Sequence, residues 1–119
     1  MKSVKIVNKT QNTVLAEDAM WAHSFWNRLR GFLARPEPKL GEGIILDPCQ
    51  SVHMWGMKYS LDILFSDKED RVVHLEPSLK PWKLSRRIPE AQRVIELPVG
   101  TLQASRTCVG DELDFRVLD

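Results

Sequence analysis

Between residues 49 and 62, "CQSVHMWGMKYSLD", the chain gathers a thiol (Cys49), an imidazole (His53), two thioethers (Met54 and Met57), an indole (Trp55) and a carboxylate (Asp62). Thiolate, imidazole and thioether are donors that suit copper or zinc. A thiol within reach of an imidazole can act as a nucleophile with its base. An indole and apolar side chains interrupted by a few polar groups can line a small-molecule site. The same residue types also fill ordinary cores, where Cys and Met are common and a histidine serves as hydrogen-bonded filler.

Spacing weighs these readings against each other. Along an extended strand, alternate residues share a face, so Cys49, Ser51, His53, Trp55 and Met57 line up together, with Val52 and Met54 on the core side. Gly56 interrupts that register, because it permits a bulge. On such a strand Cys49 and His53 stand ~13 Å apart, too far for a direct nucleophile–base pair. Two ligands from Cys49 and His53 are too few for a metal. A third, such as His74 or Cys108, must arrive from elsewhere, and the chain carries neither CxxC nor HExxH. The leading expectation is therefore a ligand cleft with no cofactor. Trp55, His53 and Trp82 line it, with a cation such as Arg30 or Lys83. A metal site or thiol enzyme built on Cys49 and His53 is the rival.

Asp62, set in "YSLDILF", is either at a solvent edge or buried with a partner. The partners open to it are backbone N–H groups, His53, Arg30 or Arg35, and a turn-bonding role at a strand start is the alternative. Glu96 in "VIELPVG" poses the same choice.

The elements that must position these residues are mostly strands. "SVKIVN" and "NTVLAE" form an N-terminal hairpin across "KTQN", and "GIILD", "SVHMW", "DILFSD", "RVVHLE", "RVIELP" and "DELDFRV" follow as short β-prone runs. Prolines fall between these runs, where no ladder hydrogen bond is needed, and "SDKEDR" is a polar hairpin loop. Ala22, Phe25, Trp26, Leu29, Phe32 and Leu33 recur at helical spacing. They predict one helix over about 18–30, with Asp18 as N-cap, Arg28 and Arg30 in the last turn and Gly31 as the stop. Phe25 and Trp26 are expected to pack on the sheet, with His23 in solvent. "VGTLQASRTCVGDEL" has room for one helical turn before a Gly110–Asp111 turn. The fold class expected is mostly β: an antiparallel sandwich or jelly-roll-like barrel of short strands with one packed helix, spanning 1–119 as a single domain. "PSLKPWKLSRRIPEAQ" is a long basic connection, where binding residues commonly sit.

The bulk composition bounds the partners. With 119 residues the chain can bury one core. Its 17 basic and 16 acidic residues nearly balance, which removes the basic excess expected of a non-specific nucleic-acid binder. No stretch approaches the ~20 apolar residues of a membrane span, and the N-terminus has no apolar run of signal-peptide length. A soluble, cytoplasmic protein is the default, in which Cys49 and Cys108 stay reduced. The partner expected is a small molecule rather than nucleic acid or membrane. A protein-interaction module using a sheet edge or the 77–91 loop is a third possibility.

"RLRGFLARP", then "GEGIILDPCQSVHMWGMKYSLDILFSDKEDRVVHLEPSLKPW", then "RVIELPVGTL" and "VGDEL" together resemble the uncharacterised family called domain of unknown function 192. The resemblance runs from about Val14 to Phe115. It is carried by Arg30 with Gly31, Met57 with Leu61 and Asp62, Glu96 to Gly100, and Gly110 with Asp111. The Cys49-x3-His53 pair resembles one branch of that family. The resemblance implies a compact, mostly β fold with a short helix and no established reaction. That pattern, together with the polar groups amid apolar strands, makes Arg30, His53, Trp55, Met57, Asp62 and Trp82 the expected ligand site. Arg30 would hold an anionic group, Trp55 and Trp82 would give apolar contact, and His53 with Asp62 would orient the ligand.

Overall fold

The computed structural model describes residues 2–118, and of Phe25 the backbone alone. Seven strands form a single sheet: β1 (Lys2–Asn8), β2 (Thr13–Ala22), β3 (Glu42–Leu46), β4 (Leu61–Ser66), β5 (Val72–Leu79), β6 (Arg93–Leu97) and β7 (Leu113–Val117). Their order across the sheet is β5-β4-β6-β3-β2-β1-β7. Two short helices complete the fold, α1 (Phe25–Arg30) and α2 (Thr101–Ala104). The mostly β class with a short packed helix is therefore as expected.

Every neighbouring pair is antiparallel except β2 with β3, which run parallel from Asp18↔Glu42 to Ala22↔Leu46. A parallel pair needs a crossover, and α1 with the chain to residue 41 supplies it. The sheet curls until its two edge strands meet at one end. Val72 donates its N–H to Asp111 O at 2.9 Å, and Leu113 donates to Asp70 O at 2.8 Å. Contact at one end makes a half-barrel, which shortens the exposed edges.

The helix begins later than its periodicity predicts. Residues 18–22 belong to β2, paired on one side to β1 (Val4↔Ala19, Lys2↔Trp21) and on the other to β3. Two ladders from segments remote in sequence satisfy this backbone, and local helical spacing yields to them. Asp18 is consequently a strand residue, and the N-cap is Ser24, whose Oγ accepts the Asn27 N–H at 3.1 Å. Trp26 is 74% exposed rather than packed on the sheet, and the side chain of Phe25 lies outside the described residues.

Strand alternation sorts the core onto two faces. Ile44, Leu46, Ile63, Phe65 and Val94 point to one, where Phe32, Val52, Met54, Met57 and Ile88 cover them. Ile45, Leu64, Ile95 and Leu97 point to the other, against Val4, Ile6, Leu15 and Leu102. "SVHMW" is not a strand. Residues 47–60 form a connecting segment that opens with a cis Asp47–Pro48 bond and turns at Gly56, with only His53 bridged, to Leu84. No helix among the described residues is long and apolar enough to cross a membrane.

Candidate functional site

The first sheet face carries a buried polar exception. Glu96 lies in β6, flanked across the ladders by Ile44 of β3 and Ile63 of β4. It is 5% exposed. Burial pushes its carboxyl up to about 7, against the smaller opposing effects of the Phe32 N–H and the Arg35 charge. The Phe32 N–H donates to Oε1 at 3.0 Å. That donor is delivered by the turn after α1. Gly31 ends the helix at φ +48 and gives its N–H to Asn27 O, and Arg35 Nε donates back to Gly31 O at 2.9 Å. Tyr59 holds the turn from outside, its hydroxyl seated among the carbonyls of Phe32, Arg35 and Pro36 at 2.9–3.2 Å.

The opposite wall is the 47–57 segment. It is laced to residues 82–88 by backbone bonds, including Met54 N–H to Lys83 O, Trp82 N–H to Met54 O and Ser85 N–H to Val52 O, each 2.8–2.9 Å. The Ser85 hydroxyl accepts the Val52 N–H at 2.9 Å. Asp47 anchors the start of the segment. Burial acts to raise its pKa, but bonds from Gln92, Arg93 and Trp21 outweigh this and hold it below the usual carboxylate range. Arg93 also pairs with Asp70 and lies over the rings of Trp21 and Phe115.

Between α1 and this segment lies a cavity of about 180 Å³. Arg28, Leu29, Arg30 and Leu33 line it from the helix side, and Cys49, Ser51, Val52, His53, Trp55 and Met57 from the segment. Leu46 and Glu96 line it from the sheet. The alternating set Cys49, Ser51, His53, Trp55 and Met57 thus reaches one hollow although the segment is not a strand. Val52 and Met54 turn into the core as the alternation requires, and Met57 is also largely buried. His53 stacks on Trp55 at 4.8 Å between ring centroids, and its Nδ1 is buried without a hydrogen-bond partner among the described residues.

Two residues of the expected site lie elsewhere. Asp62 sits in β4 on the face of Leu64, opposite to that of Ile63 and Glu96, so its carboxylate cannot meet His53. It accepts N–H bonds from Ser78 at 2.9 Å, Gly100 at 3.1 Å and Leu102 at 3.0 Å, and so fastens α2 and the bend in β5. Trp82 is 68% exposed and does not line the cavity. Its backbone has φ +67, and its N–H is spent on Met54 O. Glu96 and Cys49, both weighed but left out of the expected ligand site, line the cavity. Strand parity would have separated Glu96 from Asp62: opposed pairs are Ile63↔Glu96 and Asp62↔Leu97.

The thiol is held in its neutral form. Burial raises the Cys49 pKa, the Glu96 charge adds to this, and Sγ donates to Ser51 O at 3.1 Å. Neither Cys49 nor Cys108 is in a disulfide. Among the described residues no three His, Cys, Asp or Glu side chains stand together as a metal site would need.

The comparisons with known proteins concern the whole fold. The family model for domain of unknown function 192, described as an uncharacterized ACR, matches residues 6–115. A UPF0127 protein of Thermococcus sibiricus is 32% identical over 117 residues, covering 94% of this chain and 75% of its own length. A UPF0127 protein of Pyrococcus horikoshii is 30% identical over 115 residues, covering 92% and 97%. Among solved structures, a protein of unknown function from Novosphingobium aromaticivorans superposes with a TM-score of 0.80 at 19% identity, over 94% of this chain and 83% of that one. A Sinorhizobium meliloti protein described as a proposed transcription regulator superposes with a TM-score of 0.77 at 20% identity, over 96% and 92%. At those identities the likeness shows the fold alone. Matched along nearly its whole length, the chain belongs to the uncharacterised family domain of unknown function 192.

Proposed function

We propose that this protein is a small-ligand-binding or accessory module whose site is the cavity between α1, the 49–57 segment and Glu96. The observation that carries this reading is the cavity's polar inventory. A hollow of about 180 Å³, walled by Leu29, Leu33, Trp55 and Met57, is also lined by the buried Glu96 and by His53, whose Nδ1 is buried without a partner among the described residues. Cores do not keep such groups cheaply. Apolar walls with a few convergent polar groups are the usual make-up of a ligand site. A cavity of roughly 150 Å³ accepts benzene, so the hollow has room for a ligand of single-ring size.

The test is a fragment screen by ligand-observed NMR against the native protein and Ser51→Trp. Ser51 is exposed at the mouth, so an indole there obstructs the cavity without touching the core. Hits that bind the native chain and are lost in S51W support the reading. An absence of hits, or hits indifferent to S51W, overturns it.

A protein-interaction module is the second reading, favoured by Trp82 and Leu84, which stand 68% and 64% exposed on the 77–91 connection. Mass measurement in solution with Trp82→Ala as control separates it from the first. A complex or oligomer lost in W82A supports it.

A further inference from the structure

Resting on the cavity reading, we propose a ligand class: a small dipolar molecule that donates an N–H to Glu96 and turns an anionic group toward Arg28 and Arg30. Glu96 is 5% exposed, and only its Oε1 receives a protein hydrogen bond, from Phe32. Oε2 has no donor among the described residues. The charge of Arg35 acts to lower the carboxyl pKa, yet its Nε is committed to Gly31 O and no bond joins it to Glu96 among the described residues. His53 also lines the cavity, and its Nδ1 is buried without a partner among the described residues. A ligand nitrogen carrying protons answers the carboxyl oxygen, and buried polar groups left unmatched are unfavourable.

The rim makes the opposite demand. Among the described residues Arg28 bonds only neutral carbonyls, His23 O at 3.2 Å and Pro48 O at 2.9 Å, and Arg30 bonds only Leu33 O at 3.1 Å. Neither has a carboxylate partner among the described residues, although both line the cavity. Guanidinium groups bind carboxylate and phosphate with particular strength. A simple cation would meet these two arginines at the entrance, and a simple anion would be driven against Glu96. A molecule with an amine at one end and an anionic group at the other satisfies both, with one ring or a short chain of carbons against Trp55 and Leu29. Because burial holds Glu96 near neutrality in its titration, a bound ammonium draws it to the carboxylate and releases a proton. The other titratable or charged groups facing it are Arg35, Cys49 and Tyr59, with Arg28, Arg30 and His53 across the cavity.

The probes are 4-(aminomethyl)benzoate and its two halves, benzylamine and benzoate. They are titrated calorimetrically into the full chain near pH 7 in two buffers of different ionisation heat. The dipolar probe is expected to bind about ten-fold or more tighter than either half, with net proton release. Glu96→Gln should abolish the proton release and the advantage over benzoate, and Arg30→Gln should reduce the advantage over benzylamine. Arg30 is exposed, so R30Q keeps the test open if E96Q does not fold. Equal binding of all three probes, each lost in S51W, overturns the ligand class and leaves the cavity reading intact. The ligand class also falls, alone, if no probe binds while fragments sensitive to S51W exist. If neither probes nor fragments bind, both fall.

Discussion

The Cβ that Gly31 lacks would lie 2.4 Å from Glu96 Oε1, closer than real Cβ contacts come. The arginine-glycine pair after α1 and the glutamate in β6, remote along the chain, are therefore two halves of one arrangement. Gly31 sits at φ +48 and ψ −127, outside the region open to residues with a side chain, and this turn aims the Phe32 N–H at the carboxyl.

Gly31→Ala should thus cost more than an ordinary Gly→Ala change, about 2–4 kcal/mol, from backbone strain plus the contact with Glu96. The contact component disappears if the glutamate side chain is cut back. Urea unfolding of the native chain, G31A, E96A and the double variant should show the pair to be non-additive by about 1 kcal/mol, with the double variant more stable than the sum of the singles. Strict additivity would mean that strain alone matters at Gly31.

Glu96 should also set the pH dependence of stability on the weakly acidic side. Its folded pKa, about 7, lies above the ordinary 4.5. Between those values the folded chain binds more protons than the unfolded one, so stability is fully present below about pH 4.5 and declines as pH rises to about 7. The loss is on the order of 3 kcal/mol. Asp47 and Asp111 act in the opposite sense. Burial works to raise both, but hydrogen bonds outweigh it and hold them low, so their stabilisation is lost only below the ordinary carboxylate range. Unfolding midpoints measured at half-unit steps from about pH 4 to 8 should decline for the native chain and stay level for Glu96→Gln across the upper part of that range.

Asp62 should behave as a structural anchor. Its carboxylate takes three backbone N–H groups, from Ser78, Gly100 and Leu102. Truncation to Ala leaves those donors short of a charged acceptor and should destabilise the chain by about 3 kcal/mol. Binding of any cavity ligand, measured well below the unfolding temperature, should be unaffected because the carboxylate lies on the other face of the sheet. Weakened binding at unchanged stability would return Asp62 to the site.

Most strands could be read from the sequence because their Val, Ile, Leu and Phe runs stop at Pro, Gly and Asp, and that punctuation is local. Residues 18–22 could not, since what makes them a strand is pairing to Lys2–Val4 on one side and Glu42–Leu46 on the other. The alanines at 16, 19 and 22 fit a helix equally well. Within the 47–60 segment the alternation of Val52, His53 and Met54 was legible although the expected strand is not formed, because extended backbone suffices for it. Choosing between Asp62 and Glu96 needed the register of β4 against β6. Both are acids within apolar strands, and parity of pairing alone sends one to α2 and the other to the cavity. Trp82 was drawn into the expected site by its residue type. The left-handed turn at φ +67, which accompanies its exposed indole, has no sequence signal when the residue is not glycine.

Cys49 offers the direct comparison between the ligand-site reading and a thiol enzyme. Its thiol is half-buried, its pKa is raised by burial, and its proton is given to Ser51 O rather than to His53. A nucleophile needs the reverse, a depressed pKa beside a base. With Cys108→Ser removing the exposed second thiol, reaction of Cys49 with a disulfide reagent near pH 7.5 should run about ten-fold or more slower than in the urea-unfolded chain. His53→Ala should change that rate by less than about two-fold, since the imidazole does not hold the thiol proton. A rate above that of the unfolded chain, falling sharply in H53A, would show an activated pair and reinstate the enzyme.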